Sequence, residues 1–314
     1  MKSVGDWLQP YATGIDPRRG DTPHPLISTA YFAHTAWLTA QMAQVLGYHE
    51  DYNYYIKLFK GASSAFENEF FDANGKLTTE KETQTGYLLA LEFNLLSKNI
   101  QLKAINNLKI LISEADNHLR TGFLGTPLLA PVLVDTGNTD LMYTLLLKET
   151  YPSWLFSINQ GATTMWERWN SYSHEKGFES ESMNSFNHYA YGAVGQFLYE
   201  RIAGIYPLKP GYKKIKIAPA FGGELKWAKG ELESPYGSIS SEWKITGSQI
   251  QLQVVIPPNT RADIIIPATE ESEVRVNGQE IIKSQDIIIK SKSNNGLVLE
   301  APAGKYKFAV INGT

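Results

Sequence analysis

The chain changes its grammar once, at Tyr206-Pro207-Leu208-Lys209-Pro210-Gly211. Upstream, apolar residues recur at three- and four-residue steps, the spacing of a helix face; downstream they recur at every second residue, the spacing of a strand with one buried side. Two prolines and a glycine within six residues can continue neither pattern. The sequence therefore divides into a helical part, 1–205, and a β part, 206–314. The β part repeats Ile215/Ile217, Ile239/Ser241/Trp243/Ile245, Ile250/Leu252/Val254/Ile256, Ile264/Ile266, Val274/Val276 and Tyr306/Phe308/Val310. Asn277-Gly278, set between Val276 and Ile281, is a type I′ hairpin signal. Short alternating segments separated by turn residues predict an antiparallel β-sandwich.

In the helical part, residues 5–25 read as a loop, punctuated by Pro10, Gly14, Pro17, Gly20, Pro23 and Pro25. Helices are predicted over Leu26–Leu46, with Tyr31, Ala33/His34, Trp37/Leu38, Met42 and Val45 on the buried stripe and Gly47 as the stop. Others follow over Asp51–Phe70 (stripe Tyr54, Leu58, Ala62, Ala65, Phe66), Thr83–Leu96, Leu102–Asn117, Leu128–Val134 and Thr139–Glu149. One short element lies between Tyr151 and Ile158. The last helix is predicted over His188–Ile205, buried through Tyr191, Val194/Gly195, Leu198 and Ile202, with Asn184 or Ser185 as N-cap. Short links make neighbouring helices antiparallel, and hairpins in series suggest an (α/α) toroid with a site where loops converge at one end.

Composition removes several function classes. With 43% hydrophobic and 19% charged residues the chain reads as soluble and globular. A net charge of -3 leaves no electrostatic footprint for nucleic acid, and Lys209, Lys213, Lys214 and Lys216 read as a solvated strand face. The absence of cysteine removes disulfides, thiolate metal sites and Cys nucleophiles. No run approaches a membrane span and no signal-peptide core follows Met1, so no membrane partner is expected and the compartment stays open. The sequon Asn312-Gly313-Thr314 reads as chance. No phosphate loop, dinucleotide fingerprint, zinc spacing or nucleophile elbow is present, so no cofactor or metal is expected.

The chemistry concentrates in Gly161-Ala-Thr-Thr-Met-Trp-Glu-Arg-Trp-Asn170. A carboxylate and a guanidinium between two indoles suit a core poorly, because desolvating unpaired charges costs several kcal/mol. They suit a sugar site, which wants flat apolar faces, donors and acceptors for hydroxyls, and a carboxylate for the reaction. Taken alone, the run also fits a surface helix with two half-buried tryptophans. The 17 Tyr, 13 Phe and 7 Trp provide stacking platforms or a generous core equally well. Loops Gly5–Pro25, Asp135–Asp140, Gly161–Glu181 and Ser185–Tyr189 together offer Asp6, Trp7, Trp166, Glu167, Arg168, Trp169, Asn187 and His188.

Ala162–Trp169, Ser185-Phe-Asn-His-Tyr189 and Gly5-Asp-Trp-Leu8 resemble the C-terminal portion of α-L-rhamnosidases of glycoside hydrolase family 78, over essentially the whole chain. The resemblance implies a catalytic (α/α)6 barrel followed by a C-terminal β-sandwich, a rhamnose-containing substrate, and inversion at the anomeric carbon. It implies Glu167 as general base, His188 as a sugar contact and Trp7 as a ring-packing aromatic. Read from the residues themselves, Asp6 joins the binding set, Trp166 and Trp169 wall the pocket, and Arg168 orients Glu167 or keeps it ionised. His188 fits a capping or core histidine as well.

An inverting glycosidase also needs a protonated carboxyl roughly 6.5 to 9.5 Å from the base. The resemblance places that acid upstream of Gly5-Asp6-Trp7, where this sequence offers no such motif. The expectation is the C-terminal part of a longer hydrolase, with an incomplete barrel and little activity in isolation. Two alternatives stand beside it. A polysaccharide lyase can join an (α/α) toroid to β-sheets and could use Asn187, His188 and Tyr189 for elimination. A non-catalytic carbohydrate-binding fragment could keep the pocket wall without the acid.

Overall fold

A computed structural model describes residues 4–14, 16–269, 271–293 and 296–311. Met1 to Ser3 and the sequon at Asn312 lie outside the described residues. The chain forms two compact units, Met1–Val194 and Gly195–Thr314. No helix among the described residues is long and apolar enough to cross a membrane.

The first unit is built from helical hairpins: α1 (His24–Leu46) with α2 (His49–Phe70), α3 (Gln84–Glu92) with α4 (Lys98–Glu114), and α5 (Thr126–Asp135) with α6 (Thr139–Leu146). A short α7 (Trp154–Asn159) follows. Gly47 ends α1 in the left-handed region at φ 79°, as its position predicts. Thr83 caps α3 by accepting the Gly86 N–H at 3.1 Å. Helix α3 is buried on every side from Gln84 to Leu91, whereas α4 buries only the stripe Ile100, Ala104, Leu108 and Ile112. Contacts of α1 with α3 and of α3 with α5 make these three the parallel inner series. Their N-terminal ends share one end of the unit, where loops 5–23, 71–83 and 115–125 gather. The Asp135–Asp140 segment is the turn from α5 to α6, at the other end. It takes no part in the loop cluster to which sequence reading assigned it.

Two helical stripes differ from expectation. In α1 the buried line is Leu26, Ile27, Ala30, Ala33, Ala36, Ala40 and Ala43, while Leu38, Met42 and Val45 are exposed. Alanines bring α2 close, so the larger side chains fall on the opposite side. In α2 only Phe66 and Phe70 are buried, and Tyr54 is exposed. The expected helix His188–Ile205 is also broken: a 3-10 turn Ala190–Ala193, one α turn Val194–Phe197 and a π turn Leu198–Ile202. Gly192 and Gly195 weaken it from within. Leu198 is exposed, and Phe197 is buried in its place.

A two-residue hairpin, β1 (Tyr172–Ser173) with β2 (Gly177–Phe178), decorates the first unit. The second unit is one continuous sheet of β3 (Ile205–Pro207), β4 (Lys214–Ile217), β5 (Trp227–Ser234), β6 (Gly237–Thr246), β7 (Gln249–Ile266), β8 (Glu273–Val276), β9 (Gln279–Glu280), β10 (Ile288–Ser293) and β11 (Gly296–Ile311). It becomes a sandwich because its two longest strands serve both layers. Residues 249–256 of β7 pair with β6 and with the end of β11; residues 261–266 pair with β4 and with the start of β11. The change of layer falls at Pro257-Pro258-Asn259 in β7, where Asn259 has φ 61°, and at the register shift between Pro302 and Gly304 in β11. Pairing is antiparallel throughout except β4 with β7, which is parallel. The core residues Ile215, Ile217, Ile239, Trp243, Leu252, Val254, Ile264 and Phe308 are those the alternation predicts. Asn277 and Gly278, at φ 49° and 84°, form the predicted hairpin turn.

Candidate active site

The Gly161–Asn170 run is no helix; it is an irregular loop after α7, folded against the segment Met183–His188. Two backbone hydrogen bonds and one from a side chain lace the two together. Glu167 N–H donates to Ser185 O at 2.8 Å, His188 N–H donates to Met165 O at 2.8 Å, and the Thr164 hydroxyl donates to Phe186 O. This pairing sets Glu167 and His188, far apart in sequence, on adjoining backbones. The Glu167 carboxylate is half-buried, and its Oε2 accepts the Ser185 N–H at 2.8 Å. Among the described residues Oε1 has no hydrogen-bond donor, so one oxygen is fixed and the other is available.

His188 is half-buried, and its Nδ1 accepts the Ala190 N–H at 3.3 Å. In a neutral ring that bond leaves the proton on Nε2, which can donate to a hydroxyl. Its ring tilts against Phe123 at 5.0 Å and stacks on Tyr189 at 5.2 Å. Phe123 also donates its N–H to Trp7 O at 2.9 Å, which links the Trp7 segment to His188. Trp7 is half-buried, with the Arg18 guanidinium 5.7 Å from its ring.

Asp6 sits elsewhere. It is fully buried, and four donors occupy its two oxygens: the Thr85 hydroxyl at 2.5 Å and the N–H groups of Gly122, Leu124 and Gly125 at 2.7, 2.9 and 3.1 Å. Burial pushes this carboxyl above the usual carboxylate range, against the pull of those bonds. No oxygen is left for a sugar, so Asp6 ties the Trp7 loop to the 121–126 loop. A Cβ at Gly122 or Gly125 would strike Asp6 or Thr85, which explains both glycines.

Trp166 and Trp169 are also inside. Trp166 meets Phe186 edge-on at 5.2 Å. Trp169 stacks on Tyr191 at 3.9 Å and meets Trp154 edge-on at 5.2 Å; its indole N–H has no partner among the described residues. Tyr191 donates its hydroxyl to Leu8 O, and its carbonyl accepts from the Trp154 indole. These indoles support the loop from behind. Arg168 forms no ion pair with Glu167 among the described residues: its Nε donates to Met183 O at 3.0 Å, and it lines a cavity with Tyr151 and Glu179. The bond to Met183 O, and not the adjacent carboxylate, is what holds the guanidinium. Asn187 is exposed, while Asn184 and Ser185, the expected caps, instead bond Ser171 O and Glu167.

Sequence reading missed Phe123, Ser185 and Tyr191 as parts of this arrangement. Gly122-Phe-Leu-Gly125 was the available signal for Phe123, since two closely spaced glycines mark a loop under close backbone approach.

The profile of the bacterial alpha-L-rhamnosidase six-hairpin glycosidase domain matches residues 1–202. The chain belongs to this family. The profile of the bacterial alpha-L-rhamnosidase C-terminal domain matches residues 204–280. Among curated members, the alpha-L-rhamnosidase of Formosa agariphila is 52% identical over 98% of this chain and 33% of its own length. That of Alteromonas sp. (strain LOR) is 47% identical over 99% of this chain and 33% of its own. The solved alpha-L-rhamnosidase of Streptomyces avermitilis, complexed with L-rhamnose, is 39% identical with a TM-score of 0.86, over 98% of this chain and 28% of that one. The chain thus spans about a third of the length of these relatives. The helical part followed by a β-sandwich is the architecture of the family's solved members.

Proposed function

We propose that the chain belongs to an enzyme that hydrolyses terminal α-L-rhamnosides with inversion, and that Glu167 is its general base. The observation that carries this reading is the half-tethered carboxylate. Ser185 N–H holds Oε2, which fixes the group, while Oε1 has no donor among the described residues and can take a proton from water. The acid that protonates the leaving group belongs, by the family resemblance, to a motif preceding Gly5-Asp6-Trp7. In this reading His188 donates Nε2–H to a rhamnose hydroxyl, and Trp7 covers a ring face. Asp6, Trp166 and Trp169 act from behind, as anchors of the loops that carry those contacts. The chemistry lies in residues 1–205, and 206–314 is a separate domain.

Members of the family named for this activity, one of them complexed with L-rhamnose, support the substrate class. The test is hydrolysis of 4-nitrophenyl α-L-rhamnopyranoside by the full-length protein, followed by proton NMR during early turnover. β-L-rhamnose as first product is expected; α-L-rhamnose would contradict inversion.

A further inference from the structure

Three hollows adjoin one another on the first unit, apart from Glu167. The first, of about 420 Å³, is lined by Asp21, Lys81 and Arg120 near the end of α4. The second, of about 220 Å³, is lined by Arg18, Arg168 and Trp169. The third, of about 410 Å³, is lined by Phe156, Gln160 and His174. Gln9, Pro10 and Tyr11 wall both the first and the second, while Tyr151, Asn170 and Glu179 wall both the second and the third. Shared walls set these hollows in a row, a segmented groove, and neither Glu167 nor His188 lines any part of it.

Tyr11 stands at the junction of the first two hollows. The residue is 56% exposed, and its backbone is held at φ 59°. The left-handed region is unfavourable for a bulky residue, so the surroundings hold Tyr11 where it is. Tyr151 meets it edge-on at 5.5 Å, and the Arg120 guanidinium lies 5.1 Å from its centroid. A braced, solvent-facing ring offers a platform for the C–H face of a sugar, at little cost in conformational entropy. Hydroxyl partners surround it. Lys81 pairs with Asp21 in the first hollow, and Arg168 and Glu179 share the second. Charges of both signs line each hollow, which favours a ligand with neither a polyanionic nor a polycationic backbone.

We propose that this groove binds a neutral oligosaccharide, longer than a monosaccharide, with Tyr11 as its stacking platform and separately from the Glu167 centre. The choice of a carbohydrate rests on the rhamnoside-hydrolase reading above; the shape and chemistry of the groove do not.

Titration calorimetry on this chain tests it, with a neutral rhamnan hexasaccharide and methyl α-L-rhamnoside as probes. Tyr11→Gly is the main variant, because glycine is at ease at φ 59° and the substitution removes the platform without straining the backbone. Arg120→Met removes the brace and keeps the backbone. The hexasaccharide is expected to bind at least about tenfold more tightly than the monosaccharide, since each tenfold step corresponds to about 1.4 kcal/mol of added contact. Tyr11→Gly should remove that advantage, Arg120→Met should reduce it, and Glu167→Gln should leave it in place. Absent hexasaccharide binding, an affinity indifferent to Tyr11→Gly, or one lost in Glu167→Gln alone would overturn the proposal. So would a sulfated hexasaccharide that binds far more tightly than the neutral one. Binding through Tyr11 without hydrolysis of any rhamnoside by the full-length protein would sink the catalytic reading and leave the groove standing.

Discussion

Glu167 and Ser185 exchange two hydrogen bonds: Glu167 N–H to Ser185 O at 2.8 Å, and Ser185 N–H to Glu167 Oε2 at 2.8 Å. The second bond exists only while residue 185 carries an N–H. Ser185→Pro therefore removes that anchor from the carboxylate. In the full-length protein we expect kcat on 4-nitrophenyl α-L-rhamnopyranoside to fall about 10- to 100-fold, the scale of a misplaced catalytic group, with KM moved much less. Equal kcat values for variant and wild type would show that the anchor is immaterial.

Asp6 is a structural carboxylate, and its loss should register in stability. Asp6→Ala strands three backbone N–H donors and the Thr85 hydroxyl in a dry site, at a cost of about 3–5 kcal/mol. Urea unfolding of this chain measures the difference. A change below about 1 kcal/mol would contradict the anchoring role.

Trp243 is the largest fully buried side chain of the second unit, and its indole N–H donates to Ile202 O at 2.7 Å. Trp243→Ala should destabilise the β unit by about 3–5 kcal/mol, through lost transfer energy, a cavity and a stranded carbonyl. Near-native thermal unfolding of the variant would show that the sandwich core collapses around the gap.

Burial pushes the Tyr143 and Tyr151 phenols up to about 12 from their ordinary 10. A raised folded-state pKa favours the neutral form, so this stabilisation is complete below pH 10 and is lost as pH rises through 12. The urea midpoint should hold to pH 10 and then drop, with the 295 nm phenolate band of these residues rising only as the chain unfolds. Tyr151→Phe should make the drop shallower. A midpoint unchanged to pH 12 would refute the burial effect.

The β unit was legible because alternation with period two admits one buried face, and Ile215, Trp243, Leu252 and Phe308 could lie nowhere else. Helix α1 was harder, since apolar residues cover more than one face of it. Only the close approach of α2 decides that Ala33, Ala36, Ala40 and Ala43 are buried rather than Leu38 and Met42. In the site, Trp166-Glu-Arg-Trp169 was legible as a concentration of chemistry, but not the direction each side chain takes. Loop folding against Met183–His188 sends the indoles inward and Arg168 toward Met183. Asp6 is ambiguous in sequence for a related reason: a carboxylate next to a tryptophan looks the same whether it meets a ligand or, as here, a hydroxyl and three backbone amides. Tyr11 carried no periodic signal, because its role comes from a left-handed backbone and two distant braces, Arg120 and Tyr151.

Glu167→Gln in the full-length protein tests the central claim most directly. The amide keeps the shape of the side chain and removes its basicity, so kcat on 4-nitrophenyl α-L-rhamnopyranoside should fall on the order of 10³-fold, within the range typical of a lost general base. Added azide, a nucleophile that needs no deprotonation, should restore turnover and yield the β-rhamnosyl azide. A variant that keeps its activity within about tenfold, or yields no rhamnosyl azide, would remove Glu167 from the role of base.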